Sequence, residues 1–323
     1  MSQQIPIILP SQAAETILPK KNLLQLLLIE MRPHQWTKNL FIFAPLMFAK
    51  KLVDPAAIWS SCLAFAVFCF LASGLYIFND WIDRDEDRAH PEKRKRPISS
   101  GALPTRTALF GAVTLAVVAF WLAAQIGLQF FLVTALYFVL TLAYCLALKR
   151  AIVLDCMTIA AGFVLRVVGG AVAVGVAPTH WLIACAFLLA LFLAFTKRRQ
   201  ELMTLPETAA DHRQVLSQYS IDYLEKINNI LIGAAIICYA LYTVAPETIE
   251  RFGTDNLIYG TIFVIYGLFR YLALIKDPIN GGNPSKMLLQ DKPLLLTVVG
   301  WTIYNAVFIY QVTLKEFWKL LFG

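Results

Sequence analysis

Uncharged runs long enough to cross a bilayer recur along this chain, and no other feature constrains its fold as strongly. In hydrocarbon every backbone N–H and C=O must be satisfied inside the structure, which leaves helices or closed barrels. A barrel strand needs only about 9–11 residues, whereas a spanning helix needs about 20. Ala56 to Phe78 supplies 23. Thr107 to Leu148 is uncharged for 42 residues and divides into two spans at Gln125 to Gln129. Ala151 to Thr196 carries only Asp155 and Arg166 and divides near Pro178. Ile227 to Pro246, Leu257 to Ile275 and Pro293 to Leu314 add three more. The stretch from Asn39 to Ala49, extended back through Leu23 to Met31, makes a ninth that is broken by Pro33. The expectation is an all-α, polytopic membrane protein with about nine transmembrane helices.

Composition agrees, since 59% of residues are hydrophobic and only 15% charged, outside the range of ordinary soluble domains. Residues 1–22 read as a flexible tail, and 23–323 as a single helical domain with loops at 83–106, 197–217 and 276–292. The tail lacks the continuous apolar core of a secretory signal. With nine spans, Lys and Arg gather in the N-terminal segment and in these three loops. The opposite side keeps only Lys50, Lys51, Arg251, Lys315 and Lys319. The positive-inside rule then places the N-terminus and the loops in the cytoplasm, and the bundle in an inner or plasma membrane. The six cysteines lie within spans, without metal-ligand spacing. No glycine-rich nucleotide loop and no nucleic-acid motif is present.

The end of the first long run carries the chemistry. Asn79, Asp80, Asp83 and Asp87 follow directly on Ala56 to Phe78, and the three aspartates recur at helical spacings of three and four. Carboxylates beside lipid are expensive and mark functional sites. Several hard oxygens on one face suit Mg2+, with Mn2+ as an alternative, and leave room for water and phosphate oxygens as further ligands. Arg88, Lys93, Arg94, Lys95 and Arg96 come next, so metal ligands precede phosphate partners. The pattern reads as a diphosphate site. The competing reading is a solvated helix end.

Further polar residues sit at the same side of the bundle. Arg32, Gln35, Lys38 and Asn39 surround the first break, and Lys149 precedes the run that holds Asp155. Lys197, Arg198 and Glu201 close the run after it. Arg166 lies three helical turns beyond Asp155 on the same face, deep enough to need a cavity or a partner. Structural pairing is the alternative for Arg166 and for the Lys197–Glu201 spacing.

Asn79-Asp80-x-x-Asp83-x-x-x-Asp87 after a second span resembles the first aspartate motif of the UbiA superfamily of intramembrane prenyltransferases. Arg32 to Asn39, Asn79 to Pro97, Leu148-Lys149 with Leu154-Asp155, and Gly162 to Arg166 are similar to its decaprenyl-phosphate phosphoribosyltransferase branch. So are Lys197-Arg198 with Glu201-Leu202, Arg213 to Leu224, Gly281 to Pro284 and Asp291 to Pro293. The resemblance covers about residues 30 to 310. It implies helices bundled around a central polar cavity open to the cytoplasm. It further implies Mg2+ on Asn79, Asp80, Asp83 and Asp87, with the three aspartates catalytic. Arg32, Gln35, Lys38, Asn39, Arg88 and Lys93 are implied substrate contacts. Arg96, Tyr144, Lys149, Asp155 and Arg166 join them, as do Lys197, Arg198 and Glu201.

One departure separates the branches. Prenyl-transferring members carry a second aspartate-rich motif in the loop that here runs from Thr196 to Tyr219. This chain offers Asp211 alone beside Lys197, Arg198, Arg199 and Arg213. Such a loop suits a second anion better than a second metal. The implied reaction moves 5-phosphoribose from phosphoribosyl diphosphate to a polyprenyl phosphate and releases diphosphate, serving cell-envelope synthesis. The substrates and the bilayer are the expected partners, nucleic acid is not, and a homo-oligomer is compatible. Prenyl transfer to an aromatic acceptor is the alternative. A transporter reading would call for inverted repeats, and none is evident.

Overall fold

The computed structural model describes residues 22–204, 214–275, 287–288 and 290–311, and the regular structure among them is helical. Among the described residues, eight helices are long and apolar enough to cross a membrane. They are α3 (Pro55–Ile82), α5 (Thr105–Ile126), α6 (Leu128–Leu146), α7 (Leu154–Ala173), α8 (His180–Thr204) and α9 (Ile221–Val244). The span Asn256–Leu274, which contains α11 (Thr261–Leu274), and α12 (Lys292–Ile309) complete the set. Short helices α1 (Leu23–Glu30) and α2 (Ala44–Phe48) precede α3. Helix α4 (Arg84–Ala89) follows α3, and α10 (Pro246–Phe252) follows α9.

The first expected span is the exception. Helix α1 stops after eight residues, and Arg32 adopts a left-handed conformation with φ 53° and ψ 59°. Pro33 then opens a 3-10 helix, Pro33–Phe43, that leads into α2. A residue before proline is disfavoured in the α region, so the chain turns at this point instead of continuing α1. The turn is held against α3 by the Trp36 indole N–H, which donates to Ser73 Oγ at 3.1 Å. Ser73 in turn donates to the Met31 carbonyl at 2.9 Å.

Local chemistry sets the other boundaries. Asp54 caps α3 by accepting from the Ala56 and Ala57 amides, with Pro55 at the first helical position. Asp291 caps α12 in the same way through the Leu294 amide at 2.8 Å. Gly127, at φ 142°, is the single residue between α5 and α6.

Two apolar clusters fill the bundle. One joins α7, α8, α9, α11 and α12 around Phe192, Phe195, Leu224 and Tyr271. The other joins α3, α5 and α6 around Phe68, Phe130 and Tyr137, with Ile42 from the 3-10 helix. Helix α7 packs on α6 and α8, and the 3-10 helix lies in contact with α7 and α3. Gly170 permits that approach, because a Cβ there would overlap the Ile42 carbonyl. Since successive spans alternate in direction, the C-termini of α3, α6 and α8 and the N-termini of α5, α7 and α9 share one end. Asp80, Lys149, Asp155 and Arg198 therefore lie at the same end of the bundle. A cavity of about 280 Å3 lined by Phe48, Trp181, Tyr239, Tyr242, Arg251 and Trp301 lies at the other end. Asp211, Arg213, Gly281 to Pro284 and all but Asn22 of the expected tail lie outside the described residues.

Candidate active site

Helix α3 carries Asn79 and Asp80 in its last turn, and Asp83 joins it to α4, which carries Asp87. Backbone bonds from Asp83 N–H to Asn79 O (2.9 Å) and from Asp87 N–H to Asp83 O (2.8 Å) keep the helical register across the junction. All three carboxylates are held by bases. Asp80 is fully buried and pairs with Arg32 and, at 3.0 Å, with Arg96. Arg96 also reaches Asp87 at 2.5 Å, and Lys93 lies 3.7 Å from Asp87. Asp83 accepts from Lys149 and, at 3.0 Å, from Asn79 Nδ2. Burial raises the Asp87 carboxyl above its ordinary value against the pull of Arg96 and Lys93.

Glu30 backs this cluster. It is buried and accepts from the Ile98 amide at 2.8 Å. Burial and the neighbouring Asp80 carboxylate push its carboxyl up to about 7.

The donor set can be tested against a divalent cation through the groups that now touch it. One guanidinium nitrogen of Arg96 is shared by Asp80 and Asp87, so these two carboxylates already converge on one positive atom. Asp83 turns to Lys149, and among the described residues no three acids or thiols are gathered as a ready-made metal group. Carboxylate and amide oxygens are the right chemistry for Mg2+, and two of them have the right convergence.

A second polar region lies deeper. Arg166 sits twelve residues into α7, about 18 Å along its axis. It is buried, and its bonds go to neutral acceptors: Asn39 Oδ1 at 2.6 Å, Gly162 O at 2.7 Å and Tyr137 Oη at 2.8 Å. Its guanidinium also stacks on the rings of Tyr137 (4.7 Å) and Phe163 (5.2 Å). Lys38, one residue before Asn39, makes no hydrogen bond or ion pair with a described residue. Burial, then repulsion from Arg166 and Arg32, brings its amine down to about 8. Two cations therefore stand here without a carboxylate among the described residues.

A third group is separate. Arg198, almost wholly buried, lies between Asp155 (2.7 Å) and Glu201 (2.6 Å). Asp155 also accepts from the Tyr219 hydroxyl at 2.7 Å. Lys197 reaches Glu201 at 3.8 Å and is half-exposed. The structure thus divides the expected substrate contacts. Arg32, Lys93, Arg96 and Lys149 join the aspartates, Lys38, Asn39 and Arg166 form the deep region, and Asp155, Arg198 and Glu201 form the third group. Tyr144 lies near Arg198. Arg88 turns outward, bonding the Ser99 carbonyl (3.1 Å) and Asp85 (3.1 Å). Gln35 is half-buried in the 3-10 helix.

The site residues absent from the expected set are Glu30, Tyr137 and Tyr219. Glu30 was visible as the one acid in an apolar stretch, and Tyr219 as part of a family-like segment. Tyr137 gave no signal, being an aromatic residue among many in α6.

A model of the UbiA prenyltransferase family matches residues 39–290. The chain belongs to that family. The decaprenyl-phosphate phosphoribosyltransferase of Mycolicibacterium smegmatis is 33% identical over 315 residues, covering 92% of this chain and 97% of that protein. The decaprenyl-phosphate phosphoribosyltransferase of Corynebacterium glutamicum is 33% identical over 299 residues, covering 90% and 89%. A UbiA homolog from Archaeoglobus fulgidus bound to GPP and Mg2+ superposes with a TM-score of 0.69 at 20% identity, over 88% of this chain and 99% of that one. That likeness shows a shared UbiA fold. Family membership and eight apolar helices make this chain a multi-pass membrane transferase.

Proposed function

We propose that this UbiA-family transferase moves 5-phosphoribose from phosphoribosyl diphosphate to a polyprenyl phosphate, releasing diphosphate. The observation that carries the reading is the imbalance between the two polar regions. At the mouth, three carboxylates are matched by Arg32, Lys93, Arg96 and Lys149. Deeper in, Lys38 and Arg166 have no anionic partner among the described residues. Buried charge without a partner is costly, so the deep region calls for an anion from outside. Two regions for phosphate oxygens suit a reaction with two phosphate-bearing substrates. The phosphoribosyltransferase relatives point the same way.

Asp80, Asp83 and Asp87, with Asn79, are the residues that would hold Mg2+. Once bound there, Mg2+ would neutralise charge on the diphosphate leaving group. No finding favours Mn2+. Arg32 and Arg96, relieved of Asp80, would turn to phosphate oxygens, where a guanidinium makes paired bonds. Lys38 and Arg166 would take anionic oxygens without giving up a carboxylate. The acceptor phosphate is already an anion at neutral pH, so attack on ribose C1 needs no strong general base. Approach from the face opposite the diphosphate inverts that carbon to β. The excess of basic residues at this end supports a cytoplasmic position for it, in a plasma or inner membrane.

The test is a radiolabel assay on the purified protein with Mg2+, phosphoribosyl diphosphate and a polyprenyl phosphate. Label in a lipid product that releases ribose 5-phosphate in mild acid is the expected result. Transfer from an isoprenoid diphosphate to a ring acceptor, with no ribosylated lipid, would overturn the reading in favour of prenyl transfer.

A further inference from the structure

Between Lys149 and Asp155 the backbone makes a tight three-residue turn. The Leu154 amide donates to the Ile152 carbonyl at 2.7 Å, and Val153 at its centre has φ 67° and ψ −48°. A γ-turn of this positive-φ form is rare and strained. A β-branched residue makes it more so. Such conformations persist only where the surroundings over-determine them, and they concentrate at functional sites.

Here the surroundings can be named. The Val153 amide donates to Tyr219 Oη at 2.7 Å, and the same hydroxyl donates to Asp155 at 2.7 Å. Asp155 is fixed on its other oxygen by Arg198 at 2.7 Å. The neighbouring Gln218 side chain reaches the Arg150 carbonyl at 3.4 Å. One phenol thus holds both the strained amide and the first carboxylate of α7. On the other side of the turn, Lys149 projects to Asp83. The turn covalently joins Lys149, which is paired with Asp83, to Asp155 and so to the Asp155–Arg198–Glu201 group. Were Val153 to relax to negative φ, residues 148–152 would swing relative to α7 and carry Lys149 away from Asp83.

We propose that Tyr219 and the Val153 turn form a latch that sets Lys149 and Asp155 in register across the mouth of the site. Tyr219 is then a positioning residue that acts through the turn without touching substrate. The activity readout rests on the phosphoribosyl-transfer reading, whereas the structural readout does not.

The experiment compares Tyr219→Phe, Val153→Gly and Val153→Ala, alone and combined, in the full chain. Phenylalanine keeps the ring packing against Phe195 and Tyr223 and removes only the hydroxyl. Tyr219→Phe should lower kcat about tenfold, the size expected for losing a hydrogen bond to a charged group. It should also speed hydrogen exchange in residues 153–157, whose amides hang on this turn. Val153→Gly in the Tyr219→Phe background should restore most of both, because glycine holds positive φ without strain. Val153→Ala should not.

Unchanged exchange in Tyr219→Phe, or equal behaviour of the glycine and alanine double variants, would overturn the latch. The expected exchange pattern in a protein that shows no phosphoribosyl transfer would support the latch and remove only the substrate assignment.

Discussion

The aspartate mouth and the deep Lys38–Arg166 region lie near one another, yet they treat charge in opposite ways. At the mouth, each carboxylate has a base, and Asp80 and Asp87 have two each. Deeper, Arg166 is satisfied in its hydrogen bonds by Asn39, Tyr137 and Gly162 but not in its charge, and Lys38 is satisfied in neither. The difference separates two ways of recognising phosphate. A balanced cluster binds by exchange: carboxylates must leave bases for a metal while the bases go to the anion. Metal and anion then favour each other, since either alone would strand half the cluster. An unbalanced pocket binds by completion and needs no exchange. The first arrangement gives up some affinity for selectivity, and the second holds a standing instability that its ligand removes.

Substitution at Asp80 tests the balanced side and has the largest expected effect. Asp80→Asn keeps the shape but leaves Arg32 and Arg96 without their shared carboxylate. We expect a loss of activity of roughly a hundredfold or more, in keeping with loss of metal-assisted charge neutralisation. Stability should fall by about 2 kcal/mol, below the usual cost of breaking a buried pair because both arginines are partly exposed. Denaturant unfolding alongside the radiolabel assay measures both. Wild-type stability in an inactive variant would mean that Arg32 and Arg96 are not balanced by Asp80.

Lys38→Met tests the unbalanced side and should separate activity from stability. It removes an uncompensated cation from a half-buried position and keeps most of the apolar stem. Activity should fall roughly thirtyfold through a higher KM for one substrate, the scale of one charged hydrogen bond. Stability should rise, by about 1 kcal/mol. A variant that loses both would show that Lys38 has a structural partner and would undo the contrast with the mouth. Inorganic diphosphate offers a smaller, mutation-free check. Mg2+ and diphosphate together should raise the midpoint of thermal unfolding more than the sum of each alone, because the mouth binds by exchange.

The same contrast explains what could be read before the fold was known. Uncharged runs bounded by charge are long-range signals written in consecutive residues, so α3, α5 to α9, the span containing α11, and α12 were legible. The broken entry at Arg32 was legible through Pro33, although the 3-10 path that brings Asn39 to Arg166 was not. Asp80, Asp83 and Asp87 follow one another at helical spacings, yet Asp80 and Asp87 converge on Arg96 while Asp83 turns to Lys149. Which base meets which acid did not follow from spacing, because Arg32–Asp80 and Lys149–Asp83 join residues 48 and 66 apart in sequence. Arg198 looked like a phosphate contact from its place in a basic run, yet two carboxylates enclose it. Burial decides between these roles, and a charge run does not encode burial. Tyr137 was hidden for another reason: its hydroxyl serves Arg166 on another helix, while its ring is an ordinary resident of an aromatic-rich bundle.

The smallest expected effect is a pH dependence, and its sign distinguishes the deep region from the mouth. Lys38 is brought down to about 8 from an ordinary 10.5. Its cation is therefore present below about 8 and lost as pH rises through that value. If it holds an anionic substrate, activity at pH 9 should be roughly tenfold below that at pH 7.5. Folding stability should move the other way. The unfolded chain keeps this proton up to 10.5, so between about 8 and 10.5 the native state binds fewer protons and gains stability as pH rises. The charged and titratable groups facing Lys38 are Arg166 from α7 and Arg32 and His34 from the entry segment. The arginines keep their charge throughout, and His34, held below its ordinary value, is already neutral at pH 7.5. Lys38→Arg isolates the remaining contribution, because a guanidinium stays charged past pH 12. It should flatten the alkaline limb of activity and abolish the alkaline gain in stability. If the limb persists in Lys38→Arg, a group at the mouth is titrating, and the deep cation is a bystander in substrate binding.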